Sequence, residues 1–199
     1  MNIDAEASMG YELKSARYLA RDVLRQALPA GGIAVDATMG NGHDTLFLAE
    51  QVGETGHVYA FDIQADALVS TRALLEANGV ADRVTLLHRS HADLAEAVPQ
   101  KADAVVFNLG WLPGGDHRIT TLCASTEKAV LSALELLRPC GVVTICAYPG
   151  HEEGTRELDM LVRLVSSLSN RQYNALRQTF LNAGEGAPEC FVIQKLNSK

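Results

Sequence analysis

The chain has 199 residues, of which 47% are hydrophobic and 21% are charged, and its formal net charge is −7. This size predicts one domain with one core, over residues 11–199, behind a mobile lead-in of residues 1–10. The acidic balance argues against a general nucleic-acid binder, but the net charge is −8 over residues 1–117 and +1 over residues 118–199. A polyanionic partner is therefore expected to contact the C-terminal part.

The four cysteines, Cys123, Cys140, Cys146 and Cys190, contain no Cys-x-x-Cys pair. Buried free thiols are therefore expected, rather than a metal cluster. The N-terminus lacks the basic region and apolar block of a secretory signal, and no run approaches the roughly 20 apolar residues of a membrane span. These features predict a cytoplasmic protein with no membrane partner and no metal.

Helix-like and strand-like segments alternate along most of the chain. Apolar residues at helical spacing predict a helix over 11–28, which Pro29-Ala-Gly-Gly32 ends. The pattern that follows predicts strands over 33–37, 57–61, 83–87, 103–107 and 141–147, and helices over 43–52, 65–77, 91–97, 122–137 and 152–167. Apolar strands alternating with helices indicate a parallel sheet covered on both faces.

The C-terminal part breaks this alternation. Residues 172–180 alternate like an antiparallel strand, residues 189–195 form a second strand, and the turn-rich segment 182–188 connects them. The prediction is an α/β, doubly wound, Rossmann-like sheet of seven strands, mostly parallel, with a C-terminal antiparallel hairpin. This plan resembles that of class I methyltransferases.

The first strand runs into a glycine turn that opens a helix, which is where an α/β sheet commonly receives a cofactor. Gly40 and Gly42 occupy two positions of the dinucleotide fingerprint, but Thr45 stands where the third glycine is expected. This departure argues against NAD and suits S-adenosylmethionine (SAM), which has no phosphate. Asp62 ends the second strand, 22 residues after Gly40, and is placed to accept ribose hydroxyls.

The residues predicted to contact the cofactor lie in the turns after the first three strands: Asp36, Gly40, Asn41, Gly42, His43, Asp62, Gln64, Ser90 and His91. Asp36 is assigned to the methionine amino group, Gln64 to the ribose edge or the adenine, and Ser90 with His91 to the adenine. Two alternatives stay open: Ser90 as a helix cap alone, and His43 as a surface residue.

Four segments carry a family resemblance: residues 36–45, 61–64, 108–117 and 148–151. They resemble a family of small SAM-dependent enzymes named rRNA methylases. Members of that family methylate 5-aminomethyl-2-thiouridine at the wobble position, so the resemblance implies a SAM-dependent methyltransferase that acts on the tRNA anticodon loop. It covers about residues 11–196, with two departures. Trp111 stands where the family usually has tyrosine, and Ala187-Pro188-Glu189 stands in place of a Pro-Pro pair.

The chemistry of amine methylation suggests roles in the segment after the fourth strand. Methyl transfer from a sulfonium needs an aligned acceptor lone pair, and a protonated amine must first lose its proton. Asn108 is placed to aim the amine, and the candidate proton acceptors are Asp116, His117 and His151. Trp111 is expected to stack on a flipped base. The other predicted substrate contacts are Leu109, Gly110 and Arg118.

Several alternatives stay open at this point. The alternatives are a plain turn over residues 113–115 capped by Asp116, a core position for Trp111 and a solvated His151. Asp116, His117 and His151 could also hold a metal. For function, the alternatives are an rRNA or small-amine methyltransferase, a SAM-binding module without catalysis, and, more weakly, an NAD-dependent dehydrogenase. The oligomeric state is also open, with a homodimer as one possibility.

Overall fold

The computed structural model describes residues 16–197 of the chain. The predicted lead-in of residues 1–10 and the predicted start of the first helix at residues 11–15 lie outside the described residues. The described α-helices are α1 (Ala16–Ala27), α2 (His43–Val52), α3 (Ala65–Ala77), α4 (Leu94–Ala97), α5 (Cys123–Leu136) and α6 (Glu152–Ser167). The strands are β1 (Ile33–Asp36), β2 (His57–Asp62), β3 (Val84–His88), β4 (Ala102–Asn108), β5 (Leu137–Ala147), β6 (Tyr173–Gln178) and β7 (Glu189–Lys195).

These seven strands form one sheet in the order β3-β2-β1-β4-β5-β7-β6. The neighbours among β1 to β5 pair in parallel, while β7 pairs antiparallel with both β5 and β6. The predicted doubly wound sheet with a C-terminal antiparallel pair is confirmed.

Buried apolar side chains cover both faces of the sheet. On one face, Phe47 of α2 and Leu75 of α3 pack with residues of α1 against the strands. On the other, Val130 of α5 and Leu161 of α6 pack with Leu94 of α4. Removing these side chains from water stabilises the sandwich of helix, sheet and helix that the alternating pattern predicted.

Several strand and helix boundaries differ from the prediction by one or two residues, and two elements differ by more. Strand β5 begins at Leu137 and not at residue 141, because Leu137 already pairs with Ala102 of β4. The register then shifts and the chain passes Cys140, which has a φ of 66°. The predicted helix over 91–97 is a 3-10 turn over His91–Asp93 followed by α4. All four cysteines are free; Cys146 and Cys190 are buried as expected, whereas Cys140 is exposed.

The strand order places the candidate site. Strand β1 lies between β2 and β4. Strands β2 and β3 therefore extend the sheet on one side of β1, and β4 and the later strands extend it on the other side. The segments that leave β1 and β4 therefore separate at the carboxyl edge, and a crevice opens between them. The glycine turn follows β1, and Asn108 is the last residue of β4.

Candidate active site

A cleft of about 720 Å³ opens at this carboxyl edge. A volume in this range is typical of cofactor and small-molecule sites. Many of the residues predicted for the site line it: Gly40, Asn41, His43, Asp62, Gln64, Ser90, His91, Asn108, Leu109, Gly110, Trp111 and His151. The remaining predicted residues lie outside its lining: Asp36, Gly42, Asp116, His117 and Arg118. The structure thus joins the two predicted halves of the site without bringing every predicted residue into it.

The turn between β1 and α2 depends on two glycines. Gly40 has a φ of 51°, and Gly42, which precedes the first residue of α2, has a φ of 82°. A Cβ atom on Gly42 would lie 2.8 Å from Oγ1 and 2.9 Å from Cα of Thr71, so this position has no room for a side chain. Thr71 also donates a hydrogen bond of 3.0 Å to the carbonyl of Gly40. Gly42 therefore shapes the turn from behind, while Gly40 lines the cleft.

Asp62 lies beside this turn at the end of β2. Its Oδ2 accepts a hydrogen bond of 3.0 Å from the backbone N–H of Gly40, and its Oδ1 accepts one of 2.9 Å from that of Gln64. Each carboxylate oxygen can accept a second hydrogen bond. The carboxylate is thus held in the cleft wall with acceptor capacity left for a ligand, at the place where the sequence predicts a ribose contact.

Ser90 and His91 form the wall after β3. The Ser90 hydroxyl accepts a hydrogen bond of 3.1 Å from the N–H of Ala92, and the residue also lines the cleft, so capping and ligand contact are compatible. Burial lowers the pKa of His91. Its Nδ1 lies 3.3 Å from the carbonyl of Ala37, which requires the proton on Nδ1. The neutral ring therefore keeps Nε2 as an acceptor.

Asp36 lies behind the residues that line the cleft, so its contact with the cofactor stays a prediction. The residue is fully buried, and its oxygens accept hydrogen bonds from Oγ1 of Thr45 at 2.7 Å and from the N–H of Thr38 at 3.2 Å. Burial, with a further contribution from the Asp44 carboxylate, raises the pKa of Asp36 to about 7. Its side chain fastens the end of β1 to α2.

Asp44, which the sequence analysis did not single out, is a carboxylate of the cleft wall. It is 8% exposed and accepts hydrogen bonds from Nε of Arg21 at 2.6 Å and from Nε of Arg17 at 2.9 Å. It also accepts one of 2.8 Å from Nδ2 of Asn108. The Oδ1 of Asn108 is buried and has no hydrogen-bond partner among residues 16–197. An unused acceptor therefore lies where β4 ends.

Residues 109–121, called the reaction loop below, are anchored to α6. Oγ1 of Thr121 accepts a hydrogen bond of 2.8 Å from the N–H of Gly110 and donates one of 2.8 Å to Glu157. Glu157 is buried, and burial raises its pKa. Leu109 is 4% exposed and its side chain packs in the core, so it positions the loop more than it offers a substrate surface.

Trp111 lies at the rim of the cleft with 36% of its surface exposed, and not in the core. The imidazole of His117 stacks on it, with ring centroids 4.4 Å apart and an interplanar angle of 21°. His151 packs against it at 4.6 Å with a tilt of 44°. A flat ligand that stacks on the indole face occupied by His117 has to displace that imidazole.

Asp116 is held in an ion pair with Arg118, which disfavours its predicted role as a proton acceptor in the site. Its exposed carboxylate pairs with Arg118 at 2.7 Å, and this guanidinium holds the pKa of Asp116 below its usual value. A carboxylate of lowered pKa outside the cleft is a poor base for a bound amine. The guanidinium of Arg118 is occupied by this ion pair, although the Arg118 side chain is 90% exposed.

His151 lines the cleft, and its ring is held by α6. Its Nδ1 accepts a hydrogen bond of 3.1 Å from the N–H of Gly154, so the residue caps the helix. A neutral imidazole that accepts through Nδ1 carries its proton on Nε2. In that tautomer Nε2, which has no partner within residues 16–197, is a hydrogen-bond donor toward a ligand. Removal of the amine proton by His151 stays a prediction.

Further cleft residues were missed by sequence reasoning. Tyr148 follows β5, and burial raises its pKa to about 12. Arg17 reaches the cleft from α1, which the pattern identified only as an amphipathic helix.

Within residues 16–197, no group of three or more His, Cys, Asp or Glu side chains is arranged to hold a metal ion. No helix in that part of the chain is long and apolar enough to cross a membrane.

Comparisons with known proteins agree with this architecture. The family described as "Putative rRNA methylase" matches residues 58–194. A chloroplastic tRNA (mnm(5)s(2)U34)-methyltransferase from Arabidopsis thaliana is 37% identical over 194 residues, which cover 92% of this chain and 71% of that protein. The chain belongs to the rRNA methylase family.

Solved structures extend the likeness of this rRNA methylase family member to the whole fold. A protein described as an rRNA methylase from Clostridium thermocellum is 34% identical, with a TM-score of 0.91 over 94% of this chain and 100% of that one. A methyltransferase from Streptococcus mutans, solved in complex with SAH, is 33% identical, with a TM-score of 0.84 over 93% and 100% of the two chains. The predicted class I methyltransferase fold is confirmed, and the protein is a methyltransferase.

The family match begins at residue 58, in β2, so the glycine turn after β1 precedes the matched region. Asp62, Asn108 and the reaction loop lie within it.

Proposed function

We propose that this member of the rRNA methylase family transfers a methyl group from SAM to the 5-aminomethyl group of 5-aminomethyl-2-thiouridine at the wobble position of tRNA. The name of the Arabidopsis relative, which refers to mnm(5)s(2)U34 of tRNA, supports this substrate. The structural observation that carries the proposal is the unpartnered Oδ1 of Asn108 beside the cleft. A primary amine has N–H groups that can donate to such an acceptor and a lone pair that remains for the reaction.

The residues of the cleft fit SAM. The two-glycine turn admits a ligand close to the backbone, and the Asp62 carboxylate is held with acceptor capacity for ribose hydroxyls. The complex of the Streptococcus mutans relative with SAH, the demethylated form of SAM, supports the same cofactor here. SAM supplies a methyl group on a sulfonium, and the C–S bond breaks toward sulfur as the acceptor nitrogen forms its bond to carbon.

Asn108 has two effects on the amine in this proposal. Its Oδ1 accepts one amine hydrogen, which directs the nitrogen lone pair toward the cofactor. As the C–N bond forms, the nitrogen gains positive charge, and a fixed amide oxygen stabilises that charge. The residue therefore contributes alignment and electrostatic stabilisation from one atom.

Trp111 supplies the stacking surface for the flipped base. The base replaces the exposed His117 on the indole, while His151 stays in place as the cap of α6. The three predicted proton acceptors are Asp116, His117 and His151. Among them, only the His117 side chain makes no hydrogen bond within residues 16–197. We assign it the removal of the amine proton, since Asp116 and His151 are held in other interactions.

The proposal is tested by methyl transfer to defined RNA. Purified protein, SAM and tRNA carrying 5-aminomethyl-2-thiouridine should give 5-methylaminomethyl-2-thiouridine, detected by mass spectrometry of the nucleosides. The same tRNA with unmodified uridine, ribosomal RNA and a free small amine serve as controls for the alternative substrates. Methylation of a control in preference to the wobble nucleoside would contradict the proposed substrate.

The cofactor assignment gives a second expected result. Asp62→Ala should weaken SAM binding by about tenfold or more, because the loss of a hydrogen bond to a charged group costs roughly 1.5–3 kcal/mol. Calorimetry with SAM, SAH and NAD provides the measurement, and the wild-type protein should bind the first two and not NAD. Unchanged SAM affinity in Asp62→Ala would remove the ribose assignment, and tight NAD binding would contradict the cofactor itself.

The proposed location is the cytoplasm. The four free thiols support a reducing compartment, where disulfides rarely persist. The Arabidopsis relative is named as chloroplastic, so fractionation of the source cells, with detection of the protein by antibody, is the direct measurement.

A further inference from the structure

The Asn108 amide ends a chain of charged contacts that begins on α1. Arg17 and Arg21 bind Asp44, and Asp44 binds Nδ2 of Asn108. We propose that Asp44, supported by these two arginines, is a positioning residue that fixes which end of the Asn108 amide meets the substrate. The identity of that substrate as an amine rests on the proposed function, whereas the fixed orientation of the amide does not.

The need for such a residue follows from the symmetry of the side chain. The two ends of an asparagine amide have the same shape, and rotation about χ2 exchanges the donor with the acceptor. An ionised carboxylate only accepts hydrogen bonds, so Asp44 selects the orientation with Nδ2 toward it, as observed at 2.8 Å. Oδ1 is then on the opposite side, where it has no partner. The hydrogen bond to a charged acceptor biases the orientation by roughly 10-fold to 10²-fold.

The two arginines explain how a carboxylate persists at this depth. Asp44 is 8% exposed, and a carboxylate so buried requires counter-charges or several hydrogen-bond donors. Arg17 and Arg21 supply both, at 2.9 Å and 2.6 Å. With its oxygens engaged by three side chains, Asp44 acts on the substrate through Asn108 and not by direct contact.

Replacement of Asp44 by asparagine gives the first test. Asp44→Asn keeps the size of the side chain but offers a donor as well as an acceptor, so both orientations of Asn108 become acceptable. We expect single-turnover methyl transfer to fall about tenfold, with SAM affinity within about threefold of wild type. In an Asn108→Ala background the same substitution should cause no further loss, because no amide is left to orient. An equal additional loss in that background would overturn the proposal.

The chain offers a matched pair for the arginines. Arg21 and Arg25 lie one turn apart on α1, and both guanidinium groups lie over the Phe47 ring, at 5.1 Å and 5.3 Å. Of these two arginines, Arg21 contacts Asp44, whereas Arg25 pairs with Asp22. Arg21→Gln should lower the methyl-transfer rate by about threefold or more, and Arg25→Gln should leave it unchanged. Equal losses would indicate a general effect on α1 and contradict the proposal.

A measurement without RNA decides the positioning claim independently. In ¹⁵N-labelled protein, the Asn108 side-chain NH₂ resonances, assigned through Asn108→Ala, should shift and exchange faster with solvent in Asp44→Asn but not in Arg25→Gln. Unchanged resonances in folded Asp44→Asn would overturn the proposal. If the resonances shift as expected while wild-type protein leaves the tRNA unmethylated, the proposed function fails and the positioning role stands.

Discussion

Replacing Asn108 with alanine is expected to lower single-turnover methyl transfer by roughly 10²-fold, the scale associated with lost alignment at a reacting centre. SAM affinity should change little, because the predicted cofactor contacts follow β1, β2 and β3 whereas Asn108 ends β4. The assay uses tRNA carrying 5-aminomethyl-2-thiouridine with enzyme in excess, and calorimetry measures the affinity for SAM. A near-normal rate in Asn108→Ala would contradict the assignment of Oδ1 to the amine.

The pH dependence of the same assay separates alignment from proton removal. His117→Ala should also be slower, and raising the pH from 6 to 10 should partly restore its rate, because more of the amine is then neutral before binding. Asn108→Ala should show no such recovery. Asp116→Ala should change the rate by less than about threefold at any pH, since its carboxylate pairs with Arg118 outside the cleft. Equal recovery of Asn108→Ala and His117→Ala would contradict the division of roles.

The fold could be predicted because its signals are local and repeated. Buried strands are apolar runs and helices have helical spacing, while period-two alternation marks β6 and a further apolar run marks β7. The cleft could be predicted for the same reason, since the carboxyl ends of parallel strands meet at one edge. The α5–β5 junction could not, because the pairing of Leu137 with Ala102 is long-range and the intervening Pro139 and Gly141 suggest a loop.

The individual roles depend on side-chain partners that spacing does not specify. Asp36 and Asp44 are both acids near the glycine turn, but only the structure shows that Asp36 bonds to Thr45 behind the turn while Asp44 reaches Asn108. The Nδ1 of His151 accepts a hydrogen bond from the N–H of Gly154 in the first turn of α6. Sequence spacing does not specify such partners, and this is why it predicts the reaction chemistry without assigning the contacts of each group.

Substitution of Gly42 by alanine is expected to destabilise the protein by about 2–5 kcal/mol. A positive φ costs an alanine roughly 1–2 kcal/mol, and crowding in a packed site adds about 1–3 kcal/mol. The crowding arises because the new Cβ would lie 2.8 Å from Oγ1 and 2.9 Å from Cα of Thr71. Chemical denaturation of Gly42→Ala and wild type gives the free energies of unfolding.

Gly79→Ala is the matched control, because Gly79 has a φ of 66° but no atom within 4 Å of an added Cβ. It should lose only the conformational part, about 1–2 kcal/mol. Gly42→Ala should also bind SAM more weakly, since Thr71 holds the carbonyl of Gly40 at 3.0 Å and its displacement moves the cleft wall. Gly79→Ala should bind SAM normally. If Gly42→Ala lost SAM affinity while remaining as stable as Gly79→Ala, Gly42 would contact the cofactor directly, and its placement behind the turn would be wrong.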